Sequence, residues 1–366
     1  MQTAVYRLGM AHPGDVSALA AAIDAGRIDP ARIVAVIGKT EGNGGVNDFT
    51  RGYFTQSLFA LLAERIGASA AALAARIPCV LSGGTEGVLS PHYVVFVREP
   101  GAASAPGPRL AIGVAFSGPT PYEDIGRAAH AHAVAACVRA AMQDAGLERA
   151  ADVAFVQVKA PVLTGPRVQA ALARGGTVAT TDANRSMALA RAAGAFGVAL
   201  ALGEIDETAV RDDALLRDFA VRSDRASISS GVEIVANEVV VLGNSAAWGG
   251  ALAIACRPMQ DALDIGGVVA ALADLGIAAA PQVAAPDRDR VAAVLVKCEP
   301  DRRGAIRGNR HTMLDDTDIN AQRHIRGAVG GLVAGVIGDG RIFVSGGAEH
   351  QGPDGGGLVA VIARQD

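Results

Sequence analysis

The sequence predicts an α/β protein built from three structurally similar units around a pseudo-threefold axis. Two recurrences carry the prediction. A lysine ends an apolar, β-branched run three times: Lys39 in IVAVIGK, Lys159 in VAFVQVK and Lys297 in VAAVLVK. Later in each third a serine opens a glycine-containing turn, with a glutamate four places on: Ser82 and Glu86 in LSGGTEG, Ser229 and Glu233 in ISSGVE, Ser345 and Glu349 in VSGGAEH. Lysine and serine stand 43, 70 and 48 residues apart, so one ancestral unit used three times is the simplest reading.

Each unit begins strand–helix–strand. TAVYRL, a helix from about Pro13 to Ala25, and IVAVIGK form the first. LAIGVAF, a helix from about Tyr122 to Ala145, and VAFVQVK form the second. ALAIAC, a helix from about Met259 to Leu275, and VAAVLVK form the third. Strands are read from short β-branched runs and helices from 3.6-residue apolar spacing. A further helix follows each lysine, containing TQSLFALLAERI, SMALARAAGAF or AQRHIRGAVGGLVAGV, with Arg51, Arg191 or Arg326 at or near its start. The units are expected at residues 1–103, 110–248 and 252–366. GAASAPGPR, residues 101–109, reads as an exposed linker. The break near 249–252 carries no such punctuation, and the Pro/Ala stretch from Ala278 to Pro286 reads as a surface loop.

Of the 366 residues 50% are hydrophobic but only 4% aromatic, so the core must be Ala, Val, Ile and Leu. Forty-five glycines imply close backbone packing and many tight turns. A net charge of −4 leaves no electrostatic footprint for nucleic acid. No apolar run reaches the length of a membrane span, and the N-terminus lacks the pattern of a secretory signal. Cys79, Cys137, Cys256 and Cys298 form no C-x-x-C pair. Buried free thiols in a reducing cytoplasm are expected.

The repeated residue types suggest chemistry. A lysine becomes a base when burial or neighbouring cations lower its pKa. Such a lysine can take the proton of a serine hydroxyl and make it a nucleophile for a carbonyl carbon. Glycines beside the serine let backbone N–H groups approach a developing oxyanion, and the arginine fork suits planar, oxygen-rich groups. A hydrolase with an approximately threefold site follows. Taken singly, a strand-end lysine is usually a solvated terminus and Ser-Gly-Gly usually a turn; recurrence in the same order distinguishes these. Other motifs fail. IGKT lacks the first glycine of a phosphate loop, since position 33 is Ile. GNSAAWGG is not a nucleophile elbow. His130 and His132 face different ways on a helix. Asp315, Asp316, Thr317 and Asp318 read as a helix entry or a solvated turn.

GKTEGNGGVNDFTRGY, SGGTEGVLSPH, RHTMLDDTDIN and VSGGAEHQGPDGGG together resemble the cyanuric acid hydrolase/barbiturase family of cyclic amide hydrolases, over essentially the whole chain. The resemblance implies the Toblerone fold of that family, a homotetramer, and ring opening of a cyclic imide by a serine–lysine pair without a catalytic cofactor. It places Lys159 as base and Ser229 as nucleophile; among Ser227, Ser229 and Ser230, only Ser229 has a glutamate four places on. Lys39, Ser82, Gly83, Ser230, Lys297, Ser345 and Gly346 would hold substrate together with Arg51, Arg191 and Arg326. Gln322 matches a position associated with substrate choice. A structural Mg2+, with Ca2+ an alternative, would sit on Glu299 and the main chain of Ala348, Gln351, Gly352, Pro353 and Gly356.

Cyanuric acid is itself threefold symmetric, whereas barbituric acid replaces one ring nitrogen by carbon, so a threefold cavity favours the former. The alternatives are a barbiturase, or a small-molecule-binding protein that kept the cavity without catalysis.

Overall fold

The computed structural model describes residues 1–101 and 107–365. Three four-stranded sheets share one topology. Unit A contains β1 (Gln2–Gly9), α1 (Ser17–Asp24), β2 (Ile33–Thr40), α2 (Phe49–Ile66), α3 (Ala70–Ala74), β3 (Cys79–Gly83) and β4 (His92–Glu99). Unit B contains β5 (Arg109–Pro119), α4 (Ala128–Ala145), β6 (Val153–Pro161), α5 (Gly165–Ala173), α6 (Ala183–Ala201), β7 (Ala226–Gly231) and β8 (Ala236–Ser245). Unit C contains β9 (Leu252–Met259), α7 (Ile265–Ala273), α8 (Ala285–Arg288) and β10 (Val291–Cys298). It continues through a two-residue ribbon of β11 (Ala305–Ile306) and β12 (Asn309–Arg310) to α9 (Ala321–Ile337), β13 (Phe343–Gly346) and β14 (Gly357–Arg364). In every sheet the unit's first strand pairs with its fourth, the fourth with the second, and the second with the third. A register shift recurs at the start of each second strand, at Ile33/Ala35, Val153/Phe155 and Val291/Ala293.

Side-chain alternation along these strands builds the molecule. Ala35 and Ile37 on β2 share one central cluster with Phe155 on β6 and with Ala293 and Leu295 on β10. The residues between them face outward: Val36 packs with Leu19, Phe54 and Leu58 of α1 and α2, and Val294 and Val296 with Val268, Ile325 and Val329 of α7 and α9. The inner faces of three sheets therefore meet on the axis, with helices outside. The next odd position on each second strand is the lysine, which is carried inward at the end of the central core.

The helices that follow the lysines begin at Asp48, Asp182 and Asn320, whose side chains accept from the N–H of Thr50, Arg185 and Gln322 respectively. Left-handed Gly67 and Gly338 stop α2 and α9.

Several expectations shift. The helix expected from Tyr122 starts at Ala128, because the turn ahead of it ends at Gly126 with φ 78°. Met259 belongs to β9, and α7 begins only after Asp264, which caps the N–H of Gly267. Arg191 lies two turns inside α6 rather than near its start. Of the linker expected at 101–109, residues 102–106 lie outside the described residues, and Arg109 is a buried part of β5. Within the Pro/Ala stretch, Ala285–Arg288 form a short helix. Cys79, Cys137 and Cys298 are buried free thiols, whereas Cys256 is only partly covered. The stretch from Asp315 to Asp318 is exposed, with Asp316 accepting from the N–H groups of Asp318 and Ile319. No helix among the described residues is long and apolar enough to cross a membrane.

Candidate active site

The second and third strands of each unit run parallel, and their register sets lysine opposite serine. The pairs are Lys39↔Ser82, Lys159↔Ser229 and Lys297↔Ser345. In-register neighbours on parallel strands point to the same face, so each pair shares the inner face at the strand ends. Arg51, Arg191 and Arg326 reach in from α2, α6 and α9. With Ser82, Gly83, Ser229, Ser230, Ser345 and Gly346 they line a small cavity of about 30 Å3. Its mouth is polar, edged by Asn43, Asn184, Asn320 and Gln322. A larger surface groove along β1, β9 and β10 has no lysine, serine, cysteine or histidine among its described lining residues.

The three glutamates of the serine turns stitch the units into a ring. Glu86 of unit A is held by Arg326 of unit C through two contacts, 3.0 and 2.6 Å. Glu349 of unit C is held likewise by Arg191 of unit B, at 2.7 and 2.6 Å. Glu233 of unit B receives only the Nε of Arg51, at 3.0 Å. The rest of the Arg51 fork turns to Asp48 and to the carbonyl of Gly45. Asp48 thereby leaves Glu233 for a second partner, and Lys159 Nζ lies 2.7 Å away.

That difference propagates to the serines. Lys39 donates to Ser82 Oγ at 3.3 Å, and Lys297 to Ser345 Oγ at 3.0 Å. Lys159 instead donates to the carbonyl of Leu81 across the unit boundary and pairs with Glu233. Lys159 and Ser229, expected as a joined pair, are in register but bonded to different partners; the carboxylate outcompetes the hydroxyl for the ammonium. Ser229 Oγ accepts from the Nε2 of Gln157 at 3.4 Å.

Unit B also departs in its serine turn. Gly84 and Gly347 take positive φ, 101° and 75°, whereas Gly231 continues β7. A Cβ on Gly83 would lie 1.6 Å from Asp48 Oδ2, and one on Gly346 2.7 Å from Gln322 Oε1. The equivalent place in unit B has room for Ser230, whose hydroxyl accepts from Arg191 and donates to the carbonyl of Met187. Gln322 Oε1 accepts from the N–H of Gly347, which fixes it beside the cavity.

Burial drives the pKa of all three lysines down: Lys39 well below its ordinary value, Lys297 to about 7, and Lys159 with them. Arg326, Arg191 and Arg51 add repulsion, one at each lysine. Glu233 partly offsets this at Lys159. Burial would raise Glu233, but Lys159 and Arg51 overcome it and hold the carboxyl at about 2. Glu238, the antiparallel partner of Lys159, is pushed up to about 7 by burial. It accepts from the N–H of Cys79 in unit A.

The residues expected to hold a metal lie together. Burial, then Glu349 and Asp354, raise the Glu299 carboxyl to about 8, a crowding of carboxylates that a cation would relieve. The carbonyls of Ala348, Pro353 and Gly356 each accept one backbone N–H, leaving a second lone pair apiece. No cluster of three or more His, Cys, Asp or Glu suited to a metal occurs among the described residues. One carboxylate plus carbonyls fits a hard, oxygen-seeking cation rather than zinc.

The lysines, serines and arginines were findable from their recurrence. Asp48, Gln157 and Glu238 carry no such recurrence, although aligning the three lysine strands by register exposes a polar Gln157 where the others have Ile37 and Leu295.

A profile of the amidohydrolase ring-opening protein family matches residues 4–364. A cyanuric acid amidohydrolase of Azorhizobium caulinodans is 52% identical over 359 residues, 98% of this chain and 97% of that protein. One of Ectopseudomonas oleovorans is 48% identical over the full length of both. A solved cyanuric acid hydrolase, described as an evolutionary innovation by structural concatenation, superposes with TM-score 0.95 at 44% identity, covering 99% of each chain. The crystal structure of the hydrolase from A. caulinodans superposes with TM-score 0.92 at 51% identity, covering 100% of this chain and 99% of the other. A threefold repeat with buried lysines facing serines is thus placed by both sequence and structure: this chain belongs to the amidohydrolase ring-opening protein family.

Proposed function

We propose that this protein is a cyanuric acid amidohydrolase, with Ser229 as nucleophile and Lys159 as its base. The observation that carries the assignment to unit B is the inequality of three otherwise equivalent sets. In units A and C the lysine donates to the serine, which suits those hydroxyls to hold substrate oxygens. In unit B, Lys159 is engaged by Glu233, and Ser229 Oγ is free of the ammonium. Once Lys159 has lost its proton to solvent, which burial and Arg51 favour, it can take the Ser229 proton as Oγ attacks a ring carbonyl. The ring C–N bond breaks and the leaving nitrogen is protonated. Water then cleaves the serine ester, giving carboxybiuret, which loses CO2 to leave biuret.

Substrate-holding roles fall to Arg51, Arg191 and Arg326 and to the turns at Ser82–Gly83 and Ser345–Gly346, which line the cavity, and to Lys39 and Lys297, buried and bonded to Ser82 and Ser345. Gln322 at the mouth is assigned to substrate choice. The reading includes a structural Mg2+, or Ca2+, on Glu299 and the 348–356 turn, a homotetramer, and a cytoplasmic location consistent with four free thiols. When bound, the cation would neutralise the carboxylates around Glu299 and fix the turn. It takes no part in the steps above.

Following the loss of cyanuric and barbituric acid in parallel, with native protein and with Ser229→Ala and Ser82→Ala, tests the reading. Ser229→Ala should be inactive. Faster opening of barbituric acid, or an active Ser229→Ala beside a dead Ser82→Ala, would replace it.

A further inference from the structure

Directly beneath the reacting pair, unit B carries a layer that its counterparts lack. On the second strands the inner position two residues before the lysine is Ile37 in unit A, Gln157 in unit B and Leu295 in unit C. Its neighbour on the third strand is Val80, Ser227 and Phe343 respectively. Two of the three layers are therefore apolar, and their residues belong to the central core. Gln157 and Ser227 are both fully buried. Among the described residues, Gln157 Oε1 and Ser227 Oγ have no hydrogen-bond partner. Burying an unsatisfied polar atom destabilises a protein, and such atoms gather where function rather than stability sets the residue.

The amide is oriented by its surroundings. Its Nε2 lies 3.2 Å from the carbonyl of Val158 and 3.4 Å from Ser229 Oγ. Only the NH2 end can donate to a carbonyl, so the same end faces Ser229. Ser82 and Ser345 receive the equivalent hydrogen bond from a lysine. A lysine donating to a serine cannot at the same moment accept that serine's proton.

We propose that Gln157 is a positioning residue for the nucleophile. It substitutes for lysine as the donor to Ser229 Oγ, turns the O–H away from the strand, and leaves Lys159 free to act as acceptor. The inference rests on Ser229 and Lys159 being the reacting pair. It adds a reason why only one of three similar sets reacts: in that set the hydroxyl is held by a neutral amide that takes no proton.

The test replaces Gln157 by the residue of unit C, Gln157→Leu, and by an unbranched side chain of similar length, Gln157→Met. Both remove the donor and the unsatisfied Oε1. Each should lower kcat about tenfold or more, change KM by less than about twofold, and leave the thermal midpoint unchanged or raised. The opposite signs for turnover and stability separate positioning from a structural role. Should Leu be misfitted, Met still fills the site. Native kcat in a folded variant would overturn the inference, as would a loss of kcat matched by a loss of stability in both. Ser229→Ala is measured alongside. If it retains turnover, the choice of nucleophile fails. If it is inactive while both Gln157 variants turn over normally, only the role of Gln157 fails.

Discussion

In the proposed reaction Lys159 bears two opposing demands: to be charged in the resting site and neutral at the moment of attack. Burial and Arg51 lower its pKa, while Glu233 raises it. Because the neutral form is the base, turnover should rise with pH along a limb below the ordinary lysine value of 10.5. A pH–rate profile checks this; turnover that falls as pH rises through that range would contradict it. Ser229→Ala and Lys159→Ala should each abolish turnover in folded protein, and the double variant should cost little more, since groups acting as one unit are strongly non-additive. Glu238 offers a separate check. Its carboxyl ionises near pH 7 rather than in the usual range, so the folded state progressively loses stability as pH rises from about 4.5 through 7. Glu238→Gln keeps an acceptor for the Cys79 N–H. It should stabilise the protein at pH 8 by on the order of 1–3 kcal/mol, and scarcely at pH 4, as denaturant titration would show. Such residues were hidden in the sequence because their meaning lies in register. Gln157 is one polar letter in VAFVQVK until alternation puts it inward beneath Lys159, and Glu238 is unremarkable until it is set opposite that lysine.

At the scale of elements, the strands were the most legible part. Each lysine strand is a β-branched run with an obvious end, and its recurrence predicted a common site. Helix starts were less legible. Apolar spacing ran on through Tyr122–Arg127 and from Met259 into turns, where the cap at Asp264 and the left-handed Gly126 set the true boundary. The cyclic pairing of each serine-turn glutamate with an arginine from another unit was not readable from spacing, since it joins residues as far apart as Glu86 and Arg326. Glu86 makes a clear test. Burial opposes its ionisation, yet Arg326 and Lys39 hold its pKa below 4.5. Its stabilising contribution is therefore complete above the ordinary carboxylate range and is lost as pH falls beneath it. Glu86→Gln should cost on the order of 1–3 kcal/mol at pH 7, with the gap to native protein closing under acid, and should raise KM by loosening Arg326. A gap that widened as pH fell would rule this out. The proposed cation belongs to this scale too, because it braces one turn. A chelator should lower the thermal midpoint more than it lowers kcat; unchanged stability with lost turnover would place the metal in the chemistry instead.

For the whole molecule, threefold architecture and single-site chemistry pull in different directions. Three sheets with the same strand order bring three lysines and three serines to one axis. Symmetry alone would make three equal nucleophiles around one substrate. The chain breaks that equality with few residues: Asp48 diverts Arg51, Glu233 engages Lys159, and Gln157 supports Ser229. Units A and C keep the symmetric arrangement, and what they retain bears on substrate choice. A ring presenting the same C=O and N–H pattern on every edge can satisfy the holding groups whichever edge faces Ser229. Barbituric acid places a CH2 on one edge, leaving at least one buried donor or acceptor unmatched, at about 1–3 kcal/mol. That corresponds to roughly 5- to 150-fold in kcat/KM. Cyanuric acid should therefore be the better substrate by a factor in that range. Gln322, held to the Gly347 N–H beside Gly346, is where the preference should be adjustable. Gln322→Ala frees the Gly347 N–H and opens one edge of the mouth, so it should narrow the ratio between the two substrates more than it lowers kcat on either. Equal losses on both would assign Gln322 to general binding, and selectivity would then reside in the threefold set itself.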